Sequence, residues 1–148
     1  MRAVVQRVKN ASVSVEGETI GAIGRGLLVF LGVEEGDTQK DGDYIVSKVS
    51  GLRVFEDDND VPNLSVTDIG GSVLLVSQFT LLADARHGKR PSYIRAARPE
   101  VAIPLYERVR DGLKQFVPVE TGRFQAEMEV SLINDGPHTI LLDSRKAF

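Results

Sequence analysis

Ser77-Gln78-Phe79-Thr80 is the segment best suited to chemistry, because polar side chains there end an otherwise apolar run that begins at residue 72. If the run is a strand, alternation places Ser77 with Phe79 on one face and the other two residues on the opposite face. A hydroxyl nucleophile such as Thr80 needs a base, and a third group must orient that base. Two roles are therefore open for this segment: positioning of a substrate, and nucleophilic attack by Thr80.

The rest of the sequence offers this nucleophile no evident base. There are two histidines, His87 and His138, and each is more simply a surface or structural residue than a member of a triad. Their separation matches no recognised zinc spacing, and the chain has no cysteine. The acidic run at residues 56–60 lacks the ligand spacing of a calcium loop and predicts a solvated turn. We therefore expect neither a metal nor a cofactor.

A cluster of positive charge follows the polar segment. Residues 86–98 read RHGKRPSYIRAAR and contain no acidic residue, although the whole chain carries a formal net charge of −3. A local patch of this kind can hold a few phosphates even when the molecule as a whole is not basic. A solvated, charge-rich loop explains the same residues without any ligand.

The composition fits an ordinary globular protein. With 148 residues, of which 42% are hydrophobic and 26% charged, we expect one domain that spans residues 1–148. No apolar run reaches the roughly 20 residues of a membrane helix, and the first residues lack the apolar core of a signal peptide. We expect a soluble, cytoplasmic protein with no membrane partner.

Periodicity predicts the elements that must position the polar segment. Alternating residues at 4–8 and 13–15, followed by a Glu16-Gly17-Glu18 turn into Thr19-Ile20, predict a hairpin. Helical spacing predicts one helix from an Asp37-Thr38 cap to about Gly51, and a second from Pro99 to Phe116.

Further strands complete the predicted fold. They lie at residues 27–33, 53–55, 72–81, 127–133 and 138–142, and the last two flank a turn at Asn134-Asp135-Gly136-Pro137. Six or seven strands with two helices predict a β-rich, mixed α/β domain. Its strands form layered sheets or a barrel-like β core, with the two helices packed on one side.

Seven short segments make the sequence similar to bacterial D-aminoacyl-tRNA deacylase. Each is weak alone, but their order is specific, and the similarity runs from residue 1 to about residue 144. The segments are MRAVVQRV (1–8), GLLV with the following GV (26–33), LRVFED (52–57), SQFTL (77–81), GKRP (88–91), ETGRF (120–124) and NDGP (134–137). The resemblance implies hydrolysis of the ester in D-aminoacyl-tRNA, and of mischarged glycyl-tRNA. This is a proofreading reaction of translation that acts at the tRNA 3′ end.

The resemblance also implies a homodimer with shared active sites. In that family the Ser77-Gln78-Phe79-Thr80 strand of one subunit meets the Gly136-Pro137 turn of the other, and that turn carries a cis peptide bond. Its two carbonyls hold the α-ammonium and leave no room for an L side chain, so selection is by exclusion. Arg7 and Asn134 are expected to support the turn.

The remaining roles follow from the same resemblance. Main-chain N–H groups of Phe79 and Thr80 would bind the oxyanion, while the terminal 2′-hydroxyl of the tRNA assists the reaction. Side chains of Ser77, Gln78 and Thr80 would position the substrate. The implied pocket wall comprises Ala96, Phe124 and Met128, and the implied phosphate ligands are Lys89 and Arg90.

The sequence departs from the family pattern at three positions. His138 stands where the turn motif usually has valine, Gln125 where glycine usually follows Phe124, and His87 where lysine or arginine commonly precedes Gly88. None of these removes an implied contact. They affect the shape of the pocket near the turn and the strength of one phosphate contact.

Two other functions fit the residues. A nucleic-acid-binding module without catalysis would use the basic segment on an RNA 3′ end, and a turnover assay separates this alternative. A small-molecule hydrolase with Thr80 as nucleophile would leave the basic segment without a role, and dependence on tRNA decides that case.

Overall fold

A computed structural model describes all residues, 1–148, as eight strands, two α-helices and one 3₁₀ turn. In chain order these are β1 (Arg2–Val15), β2 (Glu18–Ile23), β3 (Gly26–Gly32), α1 (Gln39–Gly51), β4 (Phe55–Glu56), β5 (Pro62–Leu64), β6 (Ser72–Ser77), the 3₁₀ turn (Phe79–Leu82), α2 (Pro99–Lys114), β7 (Val119–Thr121) and β8 (Glu129–Asp143). Neither α-helix has the length and hydrophobicity that crossing a bilayer requires.

The main sheet is built on β1. One edge of β1 pairs with β3 along residues 2–8 and with β2 along residues 11–15, while the other edge pairs with β8. Beyond β3 the order continues with β6 and β7, both parallel to it. Parallel neighbours need crossover connections, and these contain α1 and α2.

The sheet curls towards closure. A Cβ atom added at Gly21 of β2 would lie 2.8 Å from the carbonyl oxygen of Thr121 in β7, so the first and last strands of the sheet approach each other. This confirms the predicted barrel-like, mixed α/β fold. The predicted hairpin of β1 and β2 is confirmed as well, with Glu16 and Gly17 at φ of 52° and 78° in its turn.

Alternate residues of the central strands pack into two hydrophobic clusters. Leu27, Val29 and Leu31 of β3 face the helices, whereas Leu28 belongs to the cluster on the other side of the strand. Both helices lie on one side, as predicted, and contribute the buried residues Ile45, Val49, Val109 and Leu113.

The predicted helix ends are close to the observed ones. Before α1, the backbone N–H of Thr38 donates to the Asp41 carboxylate at 2.8 Å, which completes a capping box. The second helix begins at Pro99, as predicted, and ends at Lys114, two residues early.

The predicted strand over residues 72–81 is wrong beyond Ser77. The Gln78 N–H still donates to the Leu31 carbonyl at 2.7 Å, but the chain then turns through the 3₁₀ turn. Leu82 is thereby fully buried. Burying Leu82 beneath β3 replaces the extension of β6, so Phe79 and Thr80 do not alternate across a sheet.

The predicted pair of strands around a glycine-proline turn is also wrong. Both segments belong to β8, and both pair with β1, which is long enough to form hydrogen bonds with both. Thr139 pairs with Gln6 and Asn134 with Val8, so residues 135–138 protrude opposite Arg7.

We call this feature the 135–138 bulge. Its Gly136-Pro137 peptide bond is cis. Proline, which lacks an N–H donor, fits a bulge better than a regular ladder position.

Two smaller features concern the acidic run and β7. The acidic run forms the turn between β4 and β5, where the Asp57 carboxylate accepts backbone N–H groups of Asn59 at 2.8 Å and Val61 at 3.1 Å. These bonds lower the pKa of Asp57. The sequence analysis missed β7, a three-residue strand beside β6.

Candidate active site

Two cavities flank the end of β6, and they share Ser77, Gln78 and Phe79. The larger has a volume of about 410 Å³ and the smaller about 290 Å³. Gln125 borders both. The polar segment singled out in the sequence therefore forms a ridge beside the two cavities: its first three residues line both of them, whereas Thr80 lines neither.

The larger cavity is an apolar slot with aromatic walls. The rings of Tyr106 and Phe124 meet edge to face with centroids 6.1 Å apart, and Ala97 and Ala102 leave space beside them. The Tyr106 hydroxyl donates to the Leu75 carbonyl at 2.7 Å, and burial raises the pKa of Tyr106. The phenol stays neutral and fixed at physiological pH. Such a slot suits a planar, uncharged ring.

The smaller cavity is more open and is lined by Ala126, Met128 and Val130 in addition to the shared ridge. Gln125, between the cavities, has a φ of 62°, in the left-handed region that glycine adopts most easily. This backbone conformation explains why the family usually has glycine at this position. The glutamine here adopts the same backbone conformation and adds a side chain at the mouth of both cavities.

The ridge carries two backbone donors without acceptors. Because the chain turns after Gln78, the N–H groups of Phe79 and Thr80 open the 3₁₀ turn, and neither donates to an atom of the chain. The Gln78 side-chain amide donates to the Thr80 hydroxyl oxygen. No imidazole or carboxylate forms a hydrogen bond with that hydroxyl. The geometry provides oxyanion donors but no base for a threonine nucleophile.

Arg7 holds the 135–138 bulge from beneath. Its guanidinium is buried and donates to the carbonyls of Asp135 at 3.0 Å and Gly136 at 3.1 Å, and to that of Val54 at 2.7 Å. It also donates to Glu56 at 2.9 Å, and this hydrogen bond lowers the pKa of Glu56. The buried charge is thus paired and its donors are satisfied, which fixes the direction of two bulge carbonyls.

The bulge lies far from the ridge of its own chain. Ser77 pairs with Leu31 and Leu31 with Ala3, so Ser77 lies three ladder steps from β8. The bulge sits opposite Arg7, four residues further along β1 than Ala3. Three strand spacings and four residue rises give a separation of roughly 20 Å along the sheet. Neither cavity beside the ridge includes a bulge residue.

The first part of the basic segment, up to Ser92, forms a closed loop. Asp84 and Ser92 exchange backbone hydrogen bonds of 2.8 and 2.9 Å, and the residues between them are exposed. Arg86 pairs with Asp84, lowering the pKa of that carboxyl, and Arg95 pairs with buried Glu34. Lys89 and Arg90 form no ion pair.

The structure brings some of the expected site residues together and separates others. Phe124 lines the larger cavity and Met128 the smaller one, whereas Ala96 lines neither and its neighbour Ala97 takes that place. Asn134 accepts a hydrogen bond from Gln6 at 3.3 Å, beside the bulge. His87 lies in the exposed loop and His138 in the bulge.

The sequence analysis missed the contribution of α2 to the larger cavity. Ala102 and Tyr106 line it, together with Pro99 at the start of the helix. The signal was available, because Ala102 and Tyr106 extend the apolar stripe of Leu105, Val109 and Leu113 at helical spacing.

Comparison with known proteins shows which family the sequence matches. The model of the family described as D-Tyr-tRNA(Tyr) deacylase matches residues 4–143. A Thermotoga petrophila protein named D-aminoacyl-tRNA deacylase is 58% identical, with all of both chains covered.

Two solved structures are similar in fold. One, described as c-Myc DNA Unwinding Element Binding Protein, has a TM-score of 0.91 and 44% identity over 97% of this chain and 98% of its own. Another, described as a probable eukaryotic D-amino acid tRNA deacylase, has a TM-score of 0.83 and 16% identity over 96% of this chain and 98% of its own. At that identity the second comparison shows the fold alone.

We predict that Gly32→Ala displaces the ridge. An added Cβ would lie 2.8 Å from the Gln78 carbonyl oxygen and 2.6 Å from a methyl of Leu82, so the 3₁₀ turn must shift. The free energy of unfolding, measured by urea denaturation, should fall by about 1–3 kcal/mol. The backbone amide resonances of Phe79 and Thr80 should move.

Gly24→Ala is the control, because a Cβ there meets nothing within 4 Å. Unmoved resonances in Gly32→Ala would contradict the account.

Proposed function

Because this chain belongs to the D-Tyr-tRNA(Tyr) deacylase family, an enzyme family, we propose that it hydrolyses the ester of D-aminoacyl-tRNA to a D-amino acid and tRNA. The observation that carries the proposal is the pair of N–H groups without acceptors at Phe79 and Thr80, on the ridge whose residues Ser77, Gln78 and Phe79 line both cavities. We place the reaction in the cytoplasm, within one domain that spans residues 1–148.

The cavities suggest how the substrate lies. The aromatic slot of Tyr106 and Phe124 suits the terminal adenine, since RNA-binding sites commonly hold unpaired bases against aromatic rings. With the base in that slot, the ester reaches the ridge and the aminoacyl group extends towards the smaller cavity. The unpaired cations of Lys89 and Arg90 are free to contact phosphates further along the RNA.

The chemistry needs little beyond positioning and charge stabilisation. Water adds to the carbonyl carbon, the Phe79 and Thr80 N–H groups stabilise the oxyanion, and the ester oxygen leaves with a proton as the ribose 3′-hydroxyl. One such donor is worth roughly 10²–10³ in rate. The ester is already activated, and the neighbouring 2′-hydroxyl of the substrate assists. In this mechanism the Thr80 side chain positions the substrate and forms no acyl intermediate.

A homodimer completes the site in this proposal. The roughly 20 Å between bulge and ridge, estimated from strand spacing, is too far for both to contact one aminoacyl group in the same chain. The outer edge of β8 has no partner strand, and Ile133 and Leu141 on that strand are 53% and 56% exposed. Long unpaired edges are usually covered, and a two-fold contact would bring each bulge to the other chain's ridge.

The bulge would then act as the chiral screen. Arg7 fixes the Gly136 carbonyl, whose second lone pair remains available to the substrate's α-ammonium. When the substrate's ammonium and carbonyl groups are both held, its side chain can leave the α-carbon in one of two directions. The bulge backbone blocks one of these directions. In the L enantiomer the side chain points there, whereas the D side chain points outward. Glycine has no side chain to exclude, so glycyl-tRNA is also a substrate.

We predict that D-tyrosyl-tRNA is hydrolysed roughly 10²-fold or more faster than L-tyrosyl-tRNA, because the site excludes the L side chain. Release of labelled amino acid from matched preparations of the two substrates measures the ratio. Equal rates would eliminate the chiral screen. Binding of tRNA without turnover of either substrate would favour the non-catalytic module.

A pair of substitutions tests the oxyanion donors. Phe79→Pro removes the N–H at the first position of the 3₁₀ turn, the helical position at which proline is best tolerated, and should lower kcat roughly 10²–10³-fold. Phe79→Ala keeps the N–H and is the matched control. Thr80→Ala, which also keeps its N–H, should leave most of the activity. Complete loss in Thr80→Ala, or an acyl group trapped on Thr80, would restore the nucleophile.

Shared sites predict complementation between two inactive variants. A Cβ at Gly136 would have its nearest atom, Asn134 Nδ2, at 3.7 Å, so Gly136→Ala should fold normally and obstruct only the neighbouring site. Mixing Gly136→Ala chains with Phe79→Pro chains should recover about a quarter of wild-type activity, since half the dimers are mixed and each has one intact site. Activity near zero after demonstrated subunit exchange would place bulge and ridge in one chain.

A further inference from the structure

An exposed apolar surface adjoins the candidate active site. Phe79 is 58% exposed, Tyr93 is 43% exposed and Ile94 is 87% exposed. The Tyr93 ring meets that of Phe79 edge to face, with centroids 5.4 Å apart. Isolated exposed apolar residues are ordinary, but a cluster beside a ligand site points to a binding surface.

Two β-bridges hold this surface in place. Tyr93 and Ile94 lie between the Asp84–Ser92 bridge and a second bridge that joins Glu34 to Ala96. Buried Glu34 also accepts hydrogen bonds from the guanidinium of Arg95, which follows Ile94 directly. The two apolar side chains are therefore presented on a fixed segment, and little ordering is needed when a ligand binds.

The surrounding charge favours a polyanion. Lys89 and Arg90, on the loop that leads to Tyr93, form no ion pair, and residues 85–98 contain no acidic residue. Exposed aromatic rings beside uncompensated cations are the arrangement that binds single-stranded nucleic acid through stacked bases and backbone phosphates.

We propose that Tyr93 and Ile94 form a stacking platform for the nucleotide that precedes the terminal adenosine of the RNA. The inference rests on the proposed function, in which the terminal base occupies the larger cavity. Phe79 borders that cavity, and the Tyr93 ring packs against the Phe79 ring. A strand leaving the cavity along this side therefore passes over Tyr93 before its phosphates reach Lys89 and Arg90.

Comparing short and long ligands isolates the platform. Tyr93→Ala should weaken binding of the trinucleotide CCA about ten-fold, the lower range for loss of one stacked base. It should leave the affinity for adenosine unchanged. In turnover, Tyr93→Ala should raise KM for D-tyrosyl-tRNA with little change in kcat, and should not affect hydrolysis of 3′-O-D-tyrosyl-adenosine. Tyr93→Phe keeps the ring and should restore wild-type behaviour.

Other outcomes would overturn the proposal. Equal losses on adenosine and CCA would make Tyr93 a structural support of the cavity, and unchanged affinity for both would mean that no platform exists. A changed oligomeric state of Tyr93→Ala in sedimentation, with CCA binding intact, would assign the surface to a second copy of the chain. The binding measurements need no catalysis. Failure of the proposed function would appear separately, as wild-type protein that hydrolyses neither ester.

Discussion

The double pairing of β1 determines where the ridge and the 135–138 bulge lie relative to each other. One edge of this strand is occupied by β3, which connects through β6 to the ridge, and the other edge by β8, which carries the 135–138 bulge. Arg7, on β1 itself, is the buried cation that fixes the bulge carbonyls. A one-residue change in this register would turn Arg7 to the opposite face and remove the support of the bulge.

The ridge depends on a close approach between backbones. Gly32 has no Cβ, so the Gln78 carbonyl and the Leu82 side chain can pack against the end of β3. Burial of Leu82 then forces the turn, and the turn leaves the N–H groups of Phe79 and Thr80 without acceptors. Unpaired backbone donors are unfavourable in a folded protein unless water or a ligand satisfies them. The same packing that stabilises the fold therefore creates the donors that the proposed reaction uses.

Some cationic side chains of the protein are held in ion pairs, and others have no carboxylate partner. Arg7, Arg86 and Arg95 are held by carboxylates, and each orients a piece of backbone or a loop. Lys89 and Arg90 have no such partner and can exchange counterions for phosphate. This division explains how a chain with a formal net charge of −3 can present a local positive surface.

The sequence by itself determined what local interactions control. The β1–β2 hairpin follows from its turn residues, and α1 begins where Thr38 and Asp41 cap it. The match to the D-Tyr-tRNA(Tyr) deacylase family confirms the resemblance drawn from seven short segments, and the polar segment at residues 77–80 does lie beside the cavities. Only the tertiary structure decided the rest. Residues 79–81 alternate between apolar and polar side chains, as in a strand, but burial of Leu82 beneath β3 makes this part of the chain a 3₁₀ turn. Residues 129–143 read as two strands, but pairing with β1 joined them around a bulge. The aromatic slot combines α2 with Phe124, and the bulge lies far from the ridge. These outcomes depend on contacts between residues distant in sequence, and local propensity contains no information about such contacts.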